Sequence, residues 1–265
     1  MNEEGGGCCC GAGIFFIMGI ALLLGGVQRY QLYQKISNTP TSKVRSAAVG
    51  LVELFGKARM DNDMDSPISK TKCVYWRVHG EYYHQAGKHS GWRTIFNKAS
   101  SIPFYLEDET GKMLVDPKDG EVEIPSDYRC EGHISEMNIL GMTFNKKMDE
   151  KALAFINNDP AAKSAFMGHS GSKLRITEHF IAEGDPLYVF GNAEPKPGAS
   201  SATAHENLFV KKGAVEQIMY ISDSGEKKVK DSMKWSMLAM LVFGFIFSAV
   251  GLLAILGSLG VAFAW

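Results

Sequence analysis

The sequence predicts an α+β protein: a β-rich, membrane-proximal domain between two transmembrane helices, a small barrel being one way for its strands to close. Three observations predict it. All 28 lysines and arginines lie between two charge-free apolar ends. Between those ends, short runs rich in β-branched and aromatic residues alternate with Gly, Pro and Asp turns. The middle of that segment also carries short stretches with helical spacing and capping residues.

The first apolar run is 11–27 (GAGIFFIMGIALLLGGV), with no charge between Glu4 and Arg29. A span needs about 20 apolar residues, a length reached once Cys8, Cys9 and Cys10 are included, so the first transmembrane helix is placed at 8–28. A cleaved signal peptide would require a basic start, whereas Glu3 and Glu4 make this one acidic. A lipoprotein cysteine would follow the apolar core, and these three precede it. Two readings of Cys8, Cys9 and Cys10 stay open: S-acylation beside a span, or small apolar residues that start the helix.

The soluble domain is placed at 29–221. Its strand signals are 44–55 (VRSAAVGLVELF), 73–78 (CVYWRV) and 101–106, which leads through an Asp-Glu-Thr-Gly turn into 112–115. A second turn at 116–120 precedes a short strand at 121–124. Helical spacing follows at 151–157 and at 160–167. There Asp159 suits the N-cap, Pro160 the first helical position, and Gly168 lies just past the end. Strands are expected again at 173–181, 187–190, 208–211 and 217–221, with 192–207 (NAEPKPGASSATAHEN) as a mobile loop. A polar juxtamembrane helix at 222–236 then leads into the second span, 237–264, free of charge after Lys234.

Cations near span ends are retained on the cytoplasmic side. Arg29, Lys35, Lys43 and Arg45 follow the first span, and Lys227, Lys228, Lys230 and Lys234 precede the second. The expected topology is therefore a cytoplasmic central domain with both termini outside, in a prokaryotic plasma membrane. Within the spans, Gly19, Gly25, Gly244, Ser248 and Gly251 are spaced so that small residues could let helices approach closely.

Chemistry is hard to find. Cys73 and Cys130 are the only other cysteines and no CxxC pair exists, which excludes zinc fingers and RING modules. His79, His84 and His89 recur every five residues, a spacing that gathers three nitrogens on neither a strand nor a helix. Gly168-His169-Ser170-Gly171-Ser172 misses the nucleophile-elbow pattern at its fifth position and follows a helix instead of a strand. Glu178 falls in the apolar row Leu174, Ile176, Phe180 of a strand, so it needs a cationic or backbone partner, Arg77 being the candidate. No catalytic residue, metal ligand or cofactor is expected. Basic and acidic residues nearly balance in the domain, so no strong field draws nucleic acid. The partners expected are membrane lipid and either a second copy or another membrane protein.

The order of these pieces resembles the GIDE, or "beside-a-membrane", domain family, which includes the membrane-embedded part of a mitochondrial ubiquitin ligase. The match begins with Pro40, the strand containing Gly50 and Gly56, and Pro67 leading to Cys73 and Tyr75. It continues with Trp92, the Phe104…Asp108…Gly111 hairpin, Asp116, and the closing block Glu178…Gly184-Asp185…Gly191. Two flanking spans belong to the family pattern. The double anchor and the failure of every catalytic constellation predict a membrane-anchored, non-enzymatic scaffold for protein partners or membrane organisation, expected to be oligomeric. The ligase adds a RING after its second span; this sequence has none through Trp265, so ligase activity is not carried over. The alternative is an E3 ubiquitin ligase-like or other membrane-associated enzyme component, with any RING supplied in trans.

Overall fold

A computed structural model describes residues 6–135, 138–139, 142–143, 146–196, 207–214, 217–223 and 226–258. Of 6–12, 88, 138–139, 142–143, 226–229 and 258 it describes the backbone alone. The chain begins with α1 (Gly6–Asn38), then β1 (Thr41–Ser42), β2 (Gly50–Arg59), β3 (Cys73–His84), β4 (Gly91–Ala99), β5 (Phe104–Asp108) and β6 (Gly111–Val115). Next come β7 (Glu121–Glu123), β8 (Tyr128–Gly132), β9 (Asn138–Ile139), β10 (Met142–Thr143), α2 (Glu150–Asn158) and α3 (Pro160–Met167). The last elements are β11 (Leu174–Ala182), β12 (Pro186–Pro195), β13 (Leu208–Lys211), β14 (Tyr220–Ser222) and α4 (Glu226–Ser258). Two compact units result: α1 with α4, and the domain Thr41–Gly225.

The domain is built on a closed ring of strands, β2–β5–β6–β13–β12, completed by pairing of β12 with β2. Every pair in the ring is antiparallel except β6 with β13. This is the connectivity of a five-stranded OB-type barrel, a scaffold that hosts many unrelated functions and so decides none. Alternate residues point inward and are buried: Leu54 and Ala58 from β2, Phe104 and Leu106 from β5, Met113 and Val115 from β6, Val189 from β12, Val210 from β13. Full burial of such a side chain stabilises the fold by about 1.5–3 kcal/mol. Gly56 makes the closure possible, because a Cβ there would lie 2.5 Å from the Glu107 carbonyl oxygen.

Two long insertions leave the barrel, one between β2 and β5 and one between β6 and β12. Together they form a second, four-stranded antiparallel sheet in the order β4–β3–β11–β8. One face of it is apolar and is covered by α2 and α3, with Phe96, Phe155, Ile156, Phe166, Leu174 and Ile176 in its core. Both helices start from aspartate caps. Asp149 accepts the Ala152 N–H, and Asp159 accepts those of Ala161 and Ala162 ahead of Pro160 at the helix start.

The structure corrects several sequence expectations. The run at 44–55 is not one strand: Val44–Ser46 is a 3-10 turn and β2 begins at Gly50. β4 and β8 were not anticipated. β4 lacks alternation because a bulge at the Gly80/Glu81 register shift interrupts it, and β8 (YRCEG) is polar on its outer face. The loop expected at 192–207 is partly strand, since β12 continues to Pro195; 197–206 lie outside the described residues. The domain boundary moves from 29 to 41, because α1 continues through Asn38. The juxtamembrane helix starts at Glu226, since Ser222 ends β14, and it runs without a break into the apolar stretch. Residues 259–264 of the expected second span lie outside the described residues.

Candidate functional site

Both terminal helices are long and apolar enough to cross a membrane over Gly13–Asn38 and Lys230–Gly257. They pack against each other. A Cβ on Gly251 would lie 2.5 Å from the Phe16 nitrogen, one on Gly19 2.3 Å from the Ser248 nitrogen, and one on Gly244 2.9 Å from the Leu23 nitrogen. Steps up α1 are matched by steps down α4, so the helices run antiparallel. A Cβ on Gly25 would lie at the looser distance of 3.8 Å from the Met240 sulfur. Backbone contact of this kind is how helices associate in lipid, where apolar side chains gain nothing by leaving the solvent. Phe15 and Phe247 add an edge-to-face contact at 6.1 Å between ring centres. The outward surfaces are apolar: Ile17 and Phe245 are each 68% exposed.

Following the same register past the apolar stretch brings Tyr33 level with Lys234. Arg29, Tyr30 and the exposed Trp235 fall within a turn of that level. Cations and amphipathic aromatics at one height are the pattern of a membrane–water boundary. Of Cys8, Cys9 and Cys10, only the helical backbone is described.

In the domain, the residues that sequence reasoning singled out divide into groups. Pro40 separates α1 from β1. Gly50, with φ of +118°, starts β2. Asp108 ends β5 and organises the hairpin turn: one oxygen accepts from the Thr110 N–H and hydroxyl and from the Gly111 N–H, the other from the Val44 N–H. Burial opposes its charge, yet these bonds hold its carboxyl below the ordinary range. Asp116 accepts the Lys118 N–H after β6. Gly184 turns the chain at φ +90°, and Asp185 accepts the Ala182 N–H beside it. Phe104 and Gly191 lie on barrel strands, and Tyr75, on β3, is buried, which raises its hydroxyl's pKa. Burial, reinforced by the charges of Glu178 and Asp65, pushes the Cys73 thiol up to about 12, which disfavours the thiolate.

Glu178 is fully buried, but its partner is not Arg77. Its two carboxylate oxygens accept the backbone N–H groups of Ile68 at 2.7 Å and Ser69 at 2.9 Å. Arg77 points to the opposite face of the sheet, where its guanidinium donates to the Val122 carbonyl. The reason is parity: Glu178 is opposite Val78 in the register, and the neighbouring pair His179–Arg77 faces the other way. The carboxylate thus clamps the loop that contains Pro67. In that loop Ser66 and Thr71 also bond each other through N–H···O contacts, and Lys70 holds φ +57°.

The outer face of the four-stranded sheet carries a network that sequence reasoning missed apart from Trp92. The Arg175 guanidinium stacks 3.6 Å from the centre of the Trp92 ring and bonds Glu131 at 2.8 Å and Glu81 at 3.2 Å. The Tyr83 and Trp92 rings meet edge to face with 5.4 Å between their centres. The Lys173 ammonium, then the Arg129 guanidinium, with Arg175 adding to both, hold the Glu131 carboxyl down at about 2. The only sequence signal for this was the alternation Lys173, Arg175, Thr177, His179 opposite a strand with Arg77, His79, Glu81 and Tyr83. Every charge in the network has a partner, so its geometry is that of a structural tie.

Among the described residues His79, His84 and His89 are not brought together. His79 bonds Thr94 on the outer face, His84 packs on Tyr82, and His89 sits in a separate 3-10 turn. Among the described residues, no group of three or more His, Cys, Asp or Glu is placed to hold a metal ion. His169 stacks on Tyr82 and bonds the Ala165 carbonyl, within the turn that ends α3. No family model matches the chain, and no curated protein or solved structure matches it either. The resemblance to the GIDE family therefore rests on the order and spacing of the residues quoted for it.

Proposed function

We propose that this is a two-pass membrane protein whose barrel domain lies in the cytoplasm, with both termini outside, and that it acts as a non-enzymatic scaffold. The observation that carries the reading is the antiparallel helix pair. Its backbones meet at Gly19, Gly244, Ser248 and Gly251, and its outward side chains are apolar. An apolar surface of that kind is stable only in lipid or against another apolar surface. Lysines and arginines at the domain end of both helices favour the cytoplasmic side for the domain and suit anionic headgroups, each worth about 1 kcal/mol near the surface. The domain is joined to a helix at each of its ends, so it is tethered twice. The GIDE-type order of its blocks favours the same reading, with self-association or a second membrane protein as partner.

Alkaline carbonate treatment of membranes tests the anchoring. The chain should stay in the pellet, and release into the supernatant would contradict it. Chemical cross-linking in intact membranes tests the scaffold role: defined oligomers or a fixed partner are expected, and a chain that remains uncross-linked counts against it.

A further inference from the structure

A groove of about 500 Å³ lies between the 67–70 loop and α2. One wall is the backbone of that loop, which is set before any ligand arrives: Glu178 holds it from below through Ile68 and Ser69, and Ser66 closes it through Thr71 and Lys70. A wall ordered in advance loses little entropy on binding. The other wall is one face of α2, where Lys151, Ala154, Phe155 and Asn158 follow at helical spacing. Pro67, Ala154 and Pro160 give the groove its apolar surface over the buried Ile68 and Phe155, and the small Ala154 leaves the middle open.

The charges at the rim are unequal. Lys70 and Lys151 are both exposed, and among the described residues neither has an ion pair or side-chain hydrogen bond. The acidic lining residue, Asp159, is already committed to Lys98 and to the N–H groups of Ala161 and Ala162. The groove therefore offers an apolar floor between two uncommitted cations, and no uncommitted anion. A basic occupant is repelled, and a neutral one leaves both lysines unused.

We propose that the groove docks a peptide segment of a partner protein, placing an apolar side chain against Pro67, Ala154 and Pro160 with carboxylates on Lys70 and Lys151. The proposal rests on the scaffold reading only in taking the occupant to be a protein. The test is to pan displayed random dodecapeptides against the full chain in phosphatidylcholine nanodiscs. Counter-panning uses Ala154→Trp, which fills the groove from an exposed position, and the double variant Lys70→Glu/Lys151→Glu. Thermal melting checks that both variants keep the fold. The expected result is enrichment of peptides with an apolar residue flanked by Asp or Glu, whose binding falls about tenfold or more in both variants. Enrichment of basic or neutral peptides overturns the proposal. So does the absence of any peptide lost on Ala154→Trp, or displacement of the enriched peptides by a fatty acid that binds the variant-sensitive site more tightly. A failed panning with carbonate-resistant protein would remove the groove and leave the anchor reading intact.

Discussion

Gly19 and Ser248 bring two helix backbones to within touching distance, such that a Cβ on Gly19 would lie 2.3 Å from the Ser248 nitrogen. Real side chains cannot occupy that space. Gly19→Leu should therefore push the helices apart and cost about 1–3 kcal/mol, read as a lower midpoint when the full chain in mild micelles is titrated with SDS. Gly13→Leu is the control, because a Cβ there meets nothing within 4 Å. Equal midpoints for the two variants would argue against the helix contact.

Glu178→Ala would leave the Ile68 and Ser69 N–H groups without their acceptor. A buried, charged acceptor of this kind is worth about 1.5–3 kcal/mol per bond, and the urea midpoint should fall accordingly. Glu178→Gln should fall between, since it keeps one acceptor oxygen. Arg77→Met should cost less than Glu178→Ala, because it removes a single, long bond of 3.3 Å to the Val122 carbonyl. If Arg77→Met instead matched Glu178→Ala, the assignment of partners would be wrong.

Acid should loosen the outer sheet face in a defined window. Glu131 has its carboxyl held at about 2 by Lys173, Arg129 and Arg175, against an ordinary value of 4.5. A depressed carboxylate stabilises the fold fully above 4.5, and that contribution fades as pH falls toward 2. Wild type should thus be more stable than Glu131→Gln at pH 6, with the gap in urea midpoint closing between about pH 4.5 and pH 2. A gap that is constant across that range would mean the carboxylate's charge is not what matters.

Closure of the barrel depends on Gly56. Its missing Cβ lets β2 lie against the Glu107 carbonyl on β5. Gly56→Val should cost about 1–3 kcal/mol through overpacking. Hydrogen exchange should report it first at the amides of Arg59 and Tyr105, which are paired across that seam. Unchanged protection at those amides would show that the seam tolerates a side chain.

Much of this was readable in the chain and some was not, for identifiable reasons. The α3 cap was fully legible, because Asp159, Pro160 and Gly168 act within a few residues of one another. The β5–β6 hairpin was legible for the same reason, its turn being organised by Asp108 alone. The need of Glu178 for a partner followed from alternation, but the partner's identity did not. Ile68 and Ser69 are more than a hundred residues away, and backbone N–H groups leave no mark in a sequence. The Arg175–Trp92 stack likewise joins separate insertions of the barrel. The barrel's closure through β2 and β12 is a long-range pairing that local spacing cannot encode.

The most direct test of the anchored topology uses an unusual property of the sequence: no trypsin site precedes Arg29 or follows Lys234. Full-length protein with an epitope tag at its N-terminus would be placed in sealed membrane vesicles of each orientation. In inside-out vesicles trypsin should digest the domain while the tag stays inaccessible to antibody. In right-side-out vesicles the tag should be accessible and the chain should survive trypsin intact. Cleavage of the domain and exposure of the tag on the same side would contradict a chain that crosses the membrane at α1.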